Sequence, residues 1–362
     1  MKYTKVIDKD VERIIEDVGI DLLNNKLSNK TFLVTGASGM IGSYLIYTLE
    51  KLNEITNSNI KIKAVVRNIK KLDNKIIEDR NVEIITHDVT KPFEIKENIS
   101  YIVHAASPAS PKIMKDYPVE TNFANTIGTA NTLLLAKEKN CEGYMFISSR
   151  EIYGEPKEGQ ELFTEDGELG QVNPLIPRNG YAEGKKAAEN MCSSFKDEYN
   201  LNTKIVRLAH TYGPGMSIDD GRVQADFLKN IINNEDIVLK SDGSSIRTYT
   251  YISDAITAMF LVLLKSNDLV YNIADEDSKT SIKELAETLI SIRPEKNLKL
   301  VFDIPKEQQK GTASFKNGIL STKKIRDELN WKPRYSIKDG FERTIEHLEE
   351  ERIKEDKKTL IK

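Results

Sequence analysis

The chain has 362 residues, with 53 Lys+Arg against 56 Asp+Glu, a formal net charge of −3 at pH 7. Hydrophobic residues make up 39% and charged ones 30%, enough for a buried core under a solvated surface, and the near-neutral balance excludes a nucleic-acid-binding protein. No apolar run approaches the ~20 residues that span a bilayer, the N-terminus is too charged for a signal peptide, and two cysteines, Cys141 and Cys192, make no disulfide framework, so a cytoplasmic protein is expected.

Residues 1–30 read as an N-terminal helical extension. Val11, Ile14, Ile15, Val18, Leu22 and Leu23 recur at near-helical spacing among charged residues. This predicts one amphipathic helix, packed on the main domain or on a neighbouring subunit, and its acidic polar face argues against a membrane surface. From Thr31 short β-rich runs alternate with helical stretches. Strands are predicted at 31–35, 61–67, 82–86, 101–104, 144–148 and 203–207, and helices at 40–53, 121–139 and 182–199. Such alternation predicts an α/β fold, a Rossmann-type doubly wound parallel sheet covered on both faces. Past Gly213 the alternation loosens, which suggests a smaller C-terminal α/β lobe over 213–350, a helix at 338–357 and a charged tail at 351–362.

The segment Thr35-Gly36-Ala37-Ser38-Gly39-Met40-Ile41-Gly42 joins the first strand to the first long helix. Glycines there let the backbone turn sharply and approach a pyrophosphate, while the helix N-terminus offers free N–H groups to the anion. Gly36, Ser38, Gly39, Met40, Ile41 and Gly42 are the candidate cofactor cradle, making residues 31–212 a dinucleotide-binding domain. The spacing is G-x-x-G-x-x-G rather than the G-x-G-x-x-G of most dehydrogenases. An acidic residue at the end of the second strand would select NAD through its ribose hydroxyls, but Arg67 stands there. An arginine stacks on adenine or meets a 2′-phosphate, so NAD is expected and NADP stays open. Asp88, with Val89 after the third strand, is a candidate partner of the adenine amino group.

Tyr181-Ala182-Glu183-Gly184-Lys185 places tyrosine and lysine four apart on one helix face. A lysine beside the phenol, with a nicotinamide cation nearby, is expected to lower the tyrosine pKa toward neutrality. Tyr181 then takes the proton from a sugar hydroxyl as hydride leaves the same carbon. A strand ending in Ser148-Ser149 supplies a hydroxyl to the same oxygen.

At these residues the sequence resembles the extended short-chain dehydrogenase/reductase family (NAD-dependent epimerases and dehydratases). Among its nucleotide-sugar enzymes it is most similar to the UDP-glucuronate decarboxylase (UDP-xylose synthase) branch. The likeness is carried by His104-Ala105-Ala106-Ser107-Pro108-Ala109-Ser110-Pro111, Asn125-Thr126-Ile127-Gly128-Thr129, the run 172–185, Asp220-Gly221-Arg222-Val223, the run 243–254 and Leu329-Asn330-Trp331-Lys332-Pro333. It extends from about Lys30 to about Leu348.

The resemblance implies NAD bound with the help of Ala105, Ala106, Ser107, Asn125 and Lys185, and a UDP-sugar in the C-terminal lobe. Ser149, Tyr181 and Lys185 would oxidise the sugar at C4. The β-keto acid from glucuronate would lose CO2, and the hydride would return to the 4-keto pentose. Glu151 matches the family's catalytic glutamate, Arg247 an arginine of the substrate pocket, and Arg222 a nucleotide contact. Ser107, Arg150, His210 and Tyr181 complete the implied substrate contacts. Nucleotide-sugar 4-epimerases, C4 dehydrogenases and 4,6-dehydratases share the triad and remain alternatives; a non-catalytic binding protein of the same fold is more remote. A homodimer is implied as well, with the helices near 121–139 and 182–199 pairing as a four-helix bundle.

Three positions depart from the pattern. Arg150 stands where decarboxylases carry a small hydroxyl residue and 4,6-dehydratases an aspartate, so it either holds a carboxylate or fills space meant for another substrate. His210 replaces an asparagine, and Gly215 an arginine. His87, His104, His210 and His347 lack ligand spacing, so no metal is expected.

Overall fold

The computed structural model describes residues 2–304, apart from Glu168 and Gln171, and residues 318–360. Thr31–Thr35 (β1), Lys61–Val66 (β2), Val82–Thr86 (β3), Tyr101–His104 (β4), Gly143–Ser149 (β5), Thr203–Leu208 (β6) and Val270–Ile273 (β7) form one parallel sheet. Its spatial order is β7-β6-β5-β4-β1-β2-β3. β1, β4, β5 and β6 are buried along nearly their whole length, which is why they read as continuous apolar runs. The strand order reverses between β1 and β4. In an open parallel sheet, ligands bind at the carboxyl ends of strands beside such a switch point.

Two helices, not one, precede the sheet: Lys5–Val18 (α1) and Ile20–Leu27 (α2). Gly19 separates them at φ +97°, a left-handed value that resists a side chain. Apolar spacing runs on across the break, so periodicity alone concealed it. Nor are these residues peripheral. Ile7, Val11 and Ile14 are fully buried, and α1 packs on the helices Met40–Thr56 (α3) and Ile252–Lys265. The buried Asp10 accepts hydrogen bonds from Tyr44 Oη (2.8 Å), Tyr251 Oη (2.7 Å) and Arg343 Nε (3.0 Å). One carboxylate thus joins the first helix, α3, the strand Tyr249–Tyr251 and the last helix, Ile337–Leu360.

The other predicted helices are observed as Met40–Thr56, Pro118–Glu138 and Gly180–Tyr199. Past Gly213 the chain returns to the sheet: residues 252–263 are buried on every side of their helix, and β7 pairs with β6 at the sheet edge. The short Val223–Asn233 and Ile282–Ile292 helices and the paired strands Ile237–Leu239 and Leu300–Phe302 build the smaller part of the molecule. The expected tail is helical as far as Leu360; Ile361 and Lys362 lie outside the described residues.

Candidate active site

A cavity of about 530 Å³ opens at the carboxyl ends of β1, β4 and β5. One wall is the glycine turn. Gly36 sits at φ +68°, and a Cβ there would fall 2.7 Å from Ala105 O; at Gly42 a Cβ would fall 2.4 Å from Gly36 O. The first glycine is required by the turn and by the neighbouring strand end, the third by the approach of α3 to the turn. Gly36, Gly39, Met40, Ile41, Gly42, Ala105 and Ser107 all line the cavity. The Ser107 hydroxyl is buried without a hydrogen-bond partner among the described residues, as a group kept for a ligand would be.

Six cofactor candidates stand outside that lining. Ser38 is half-buried in the turn, and Ala106 N donates to Thr35 Oγ1 at 3.2 Å. Arg67 is exposed just past β2, 3.8 Å from Glu120. Asp88 accepts from Thr90 N and Oγ1, both at 2.9 Å, and the amide bond holds its carboxyl below the usual range. Val89 is buried, and a Cβ on Gly128 would meet it at 2.9 Å. Asn125 is fully buried, donates to Thr121 O at 2.9 Å, and packs on Gly184 between the positions of Tyr181 and Lys185. His104 is structural: its Nδ1 meets Thr35 Oγ1 at 2.8 Å, and burial pushes the imidazole down to about 3.

The facing wall carries Ser149, at the end of β5, with Tyr181 and Lys185 on the first turns of the Gly180–Tyr199 helix. The expected lowering of the Tyr181 pKa takes a nicotinamide cation as present; the chain by itself sets the opposite direction. Burial pushes the Tyr181 phenol up to about 12, the Glu151 charge adds to the rise, and the Ser149 hydrogen bond only partly opposes it. The charges of Arg222 and Arg178 also favour the phenolate, while Lys185 Nζ lies 5.7 Å from the phenol ring centroid and donates to Ile147 O at 2.6 Å. Burial also pushes the Lys185 ammonium down to about 7, which weakens the cation further. On its own, the chain keeps Tyr181 protonated.

Glu151 lies on the short turn after Ser149, and both its oxygens are taken by the Arg178 fork, at 2.6 and 3.0 Å. Such a bidentate pair fixes orientation as well as charge. Sequence reading did not single out Arg178, although it stands three residues before Tyr181 inside the run 172–185. The signal was an arginine three residues before the candidate Tyr181; its partner became evident only in three dimensions.

Arg222 and Arg247 also line the cavity. Arg222 meets Asp220 at 3.1 Å and donates to Ala109 O at 2.6 Å, which ties it to the loop after β4; Arg247 Nη1 donates to Ile246 O at 2.7 Å. The half-buried His210 is pushed well below its ordinary value by desolvation and by the guanidinium groups of Arg150, Arg247 and Arg222. Arg150 is almost wholly buried and lines the same space. Among the described residues, five cationic side chains and two carboxylates line the cavity, a balance suited to anionic ligands.

A doubly wound sheet, a glycine cradle at its switch point and a facing Ser-Tyr-Lys set define a dinucleotide-dependent enzyme of the extended short-chain dehydrogenase type. Residues 32–274 match the model of the NAD dependent epimerase/dehydratase family, and the chain belongs to that family. It is similar to UDP-glucuronic acid decarboxylase 6 of Arabidopsis thaliana, 32% identical over 325 residues, covering 88% of this chain and 90% of that one. UDP-glucuronic acid decarboxylase 1 of Xenopus tropicalis is 30% identical over 329 residues, covering 89% of this chain and 73% of that one. Among solved structures, a UDP-glucose 4-epimerase of Thermotoga maritima with UDP-glucose matches at TM-score 0.73 and 22% identity, over 88% of this chain and 99% of that one. A UDP-glucuronic acid 4-epimerase of Bacillus cereus, with UDP-glucuronic acid and NAD, matches at TM-score 0.70 and 21% identity, over 88% and 99%. The enzyme is NAD-dependent, and its residues fit that cofactor: the Gly36 and Gly42 approaches leave no room for a side chain, and the Ser107 hydroxyl is left to a ligand.

Proposed function

We propose that the enzyme decarboxylates UDP-glucuronate to UDP-xylose through transient oxidation at C4. The observation that carries this reading is a single cavity in which Ser149, Tyr181 and Lys185 share space with an arginine-rich wall. The near-full-length similarity to UDP-glucuronic acid decarboxylases supports it.

Tyr181 takes the C4 hydroxyl proton while Ser149 hydrogen-bonds the same oxygen, and the C4–H bond breaks. NAD, held by the Gly36–Gly42 turn and Ser107, would supply the acceptor and later the donor of that hydride, and its positive charge would favour the Tyr181 phenolate that burial disfavours. The C4 ketone lies β to the carboxylate, so the electrons of the C5–C6 bond flow into a C4–C5 enolate as CO2 leaves. Ser149 and the protonated Tyr181 stabilise the enolate oxygen, as oriented donors do for developing negative charge. Glu151, clamped by Arg178, is placed on this wall for proton transfer to C5. Arg222 and Arg247 take the nucleotide diphosphate. Run in D2O with UDP-glucuronate and NAD, the reaction is expected to yield a nucleotide pentose carrying one deuterium at C5 by mass spectrometry. Unchanged UDP-glucuronate contradicts the reading.

Arg67 at the adenosine end is expected to give measurable NADP affinity beside NAD. Tight NAD binding with no NADP binding, by fluorescence titration, refutes that role.

The outward face of the Pro118–Glu138 helix supports a homodimer. Val119, Phe123, Ile127 and Leu134 are 62%, 49%, 39% and 54% exposed and recur on one helix face. With the adjacent Gly180–Tyr199 helix, two copies would cover this stripe in a four-helix bundle. Phe123→Glu is expected to turn a dimer into a monomer by light scattering; a monomeric wild type contradicts the assignment. No helix among the described residues is long and apolar enough to cross a membrane. Cys141 and Cys192 are buried free thiols, consistent with a reducing, cytoplasmic setting.

A further inference from the structure

Behind the Ser149–Tyr181 wall lies a polar layer. At one level of the sheet Ser148 of β5 stands opposite Arg207 of β6, and Arg207 opposite Asn272 of β7. Arg207 is 8% exposed and Glu189, on the Gly180–Tyr199 helix, 9%. The two meet as a fork: Arg207 Nη2 donates to Glu189 Oε2 at 2.7 Å, and its Nε donates to Oε1 at 3.1 Å. Burial opposes the guanidinium charge, and the Glu189 carboxylate outweighs burial, so Arg207 stays charged. Two residues back along each strand the same sheet face turns apolar, with Phe146 and Ile205 in one cluster with Ala188 and Cys192 of the helix. An ion pair in such a place is costly to desolvate, and apolar residues of like volume often hold a fold as well. Stability alone does not account for it.

Each branch of the layer ends beside a residue of the site. Ser148 Oγ donates to Glu189 Oε1 at 2.5 Å, one residue before Ser149. Lys185 Nζ donates to Ile147 O at 2.6 Å, so two residues about one helical turn apart grip two consecutive residues of β5. Arg207 Nη1 donates to Tyr153 Oη at 2.7 Å, and Tyr153 closes the turn that carries Glu151. Tyr153 Oη donates in turn to Asn272 Oδ1 at 2.8 Å, and Asn272 Nδ2 donates to Phe163 O at 3.0 Å and Ser321 O at 3.2 Å. One guanidinium therefore ties together the helix of Tyr181 and Lys185, the strand end of Ser149 and the turn of Glu151. Charged, forked hydrogen bonds fix direction as well as distance, which apolar contacts do not.

We propose that Arg207 and Glu189 are positioning residues for the reaction, holding Ser149, Glu151 and Tyr181 in mutual register from behind the site. Neither side chain lines the cavity, so they act through the groups they hold and not on the substrate. This role rests on the C4 oxidation read above, but not on which product follows.

The test compares wild type with Arg207→Met/Glu189→Gln, which removes both charges together, leaves no buried ion alone and keeps an acceptor for Ser148. Reduction of bound NAD is followed by absorbance on rapid mixing with UDP-glucuronate, or with UDP-glucose where the uronate leaves NAD oxidised. Affinities for UDP and NAD are measured by calorimetry, and stability by urea unfolding. The pair variant is expected to unfold near the wild-type midpoint and to bind UDP and NAD within about threefold of wild type. Its NAD reduction is expected to be about a hundredfold slower, the scale of an ångström's misplacement of reacting groups. Arg207→Lys keeps the charge but not the fork, and its rate is expected to fall between. A folded pair variant that reduces NAD within about threefold of the wild-type rate overturns the proposal. So does a loss of rate matched by weaker UDP and NAD binding, or a pair variant that no longer folds, which makes the layer a matter of stability. A wild type that reduces NAD yet releases no CO2 overturns the decarboxylase reading, and the same rate comparison still decides the role of Arg207. A wild type that reduces NAD with neither sugar overturns both.

Discussion

Tyr181→Phe is expected to lower kcat by about a hundred- to ten-thousandfold, the usual contribution of a positioned proton-transfer group. The substitution removes one oxygen from a side chain that is 6% exposed and leaves the ring to fill the same space. Ser149, Lys185 and the glycine cradle are untouched, so affinity for NAD and for UDP should change little. The loss therefore belongs in kcat rather than in KM. The energetic problem Tyr181 faces is plain in the structure, where burial holds the phenol at about 12. On the proposed reading, the positive charge of bound NAD would favour loss of that proton. Turnover within a few-fold of wild type would remove Tyr181 from the reaction.

Asp10→Ala is expected to destabilise the fold by about 3–5 kcal/mol, the scale for removing one partner of a buried ion pair. Arg343 would keep a charge with no carboxylate opposite, and the hydroxyls of Tyr44 and Tyr251 would lose their acceptor. Urea unfolding followed by circular dichroism measures the change. The Asp10→Ala/Arg343→Met pair should recover part of the loss, because the orphaned charge is gone. A shift below about 1 kcal/mol, typical of an exposed pair, would show that the first helix is dispensable.

The contrast between these two residues shows what could be read from sequence. Tyr181 was legible because its partner lies four residues away on the same helix, and because a glycine-rich turn between a buried strand and a long helix suits little besides a bound phosphate. β1, β4, β5 and β6 were legible for a related reason: strands buried on both faces need no partner to be recognised as apolar runs. Asp10 was not legible. Its partners lie 34, 241 and 333 residues away, and in the sequence it is one acid among many on a charged helix. Gly19 hid the break between α1 and α2 within an unbroken apolar rhythm. β7 was not predicted, and its pairing with β6 shows the chain returning to the sheet.

At the site, identity was legible and electrostatics were not. Ser149, Tyr181 and Lys185 line one cavity with Glu151, which the family resemblance pointed to rather than spacing, yet the Arg178 clamp on Glu151 and the upward shift of Tyr181 depend on burial and on groups that only folding assembles. Arg67 and Asp88 were placed by strand ends, and they do lie past β2 and β3, away from the deep cavity where the sugar chemistry is proposed.

Carbon-13 NMR of UDP-[6-13C]glucuronate, incubated with the NAD-loaded enzyme, follows the reacting carbon itself. The carboxylate resonance should disappear, bicarbonate and dissolved CO2 should rise in its place, and the remaining nucleotide should be a pentose. A carboxylate that stays on the sugar, whether on unchanged substrate or on its C4 epimer, would contradict decarboxylation by this enzyme.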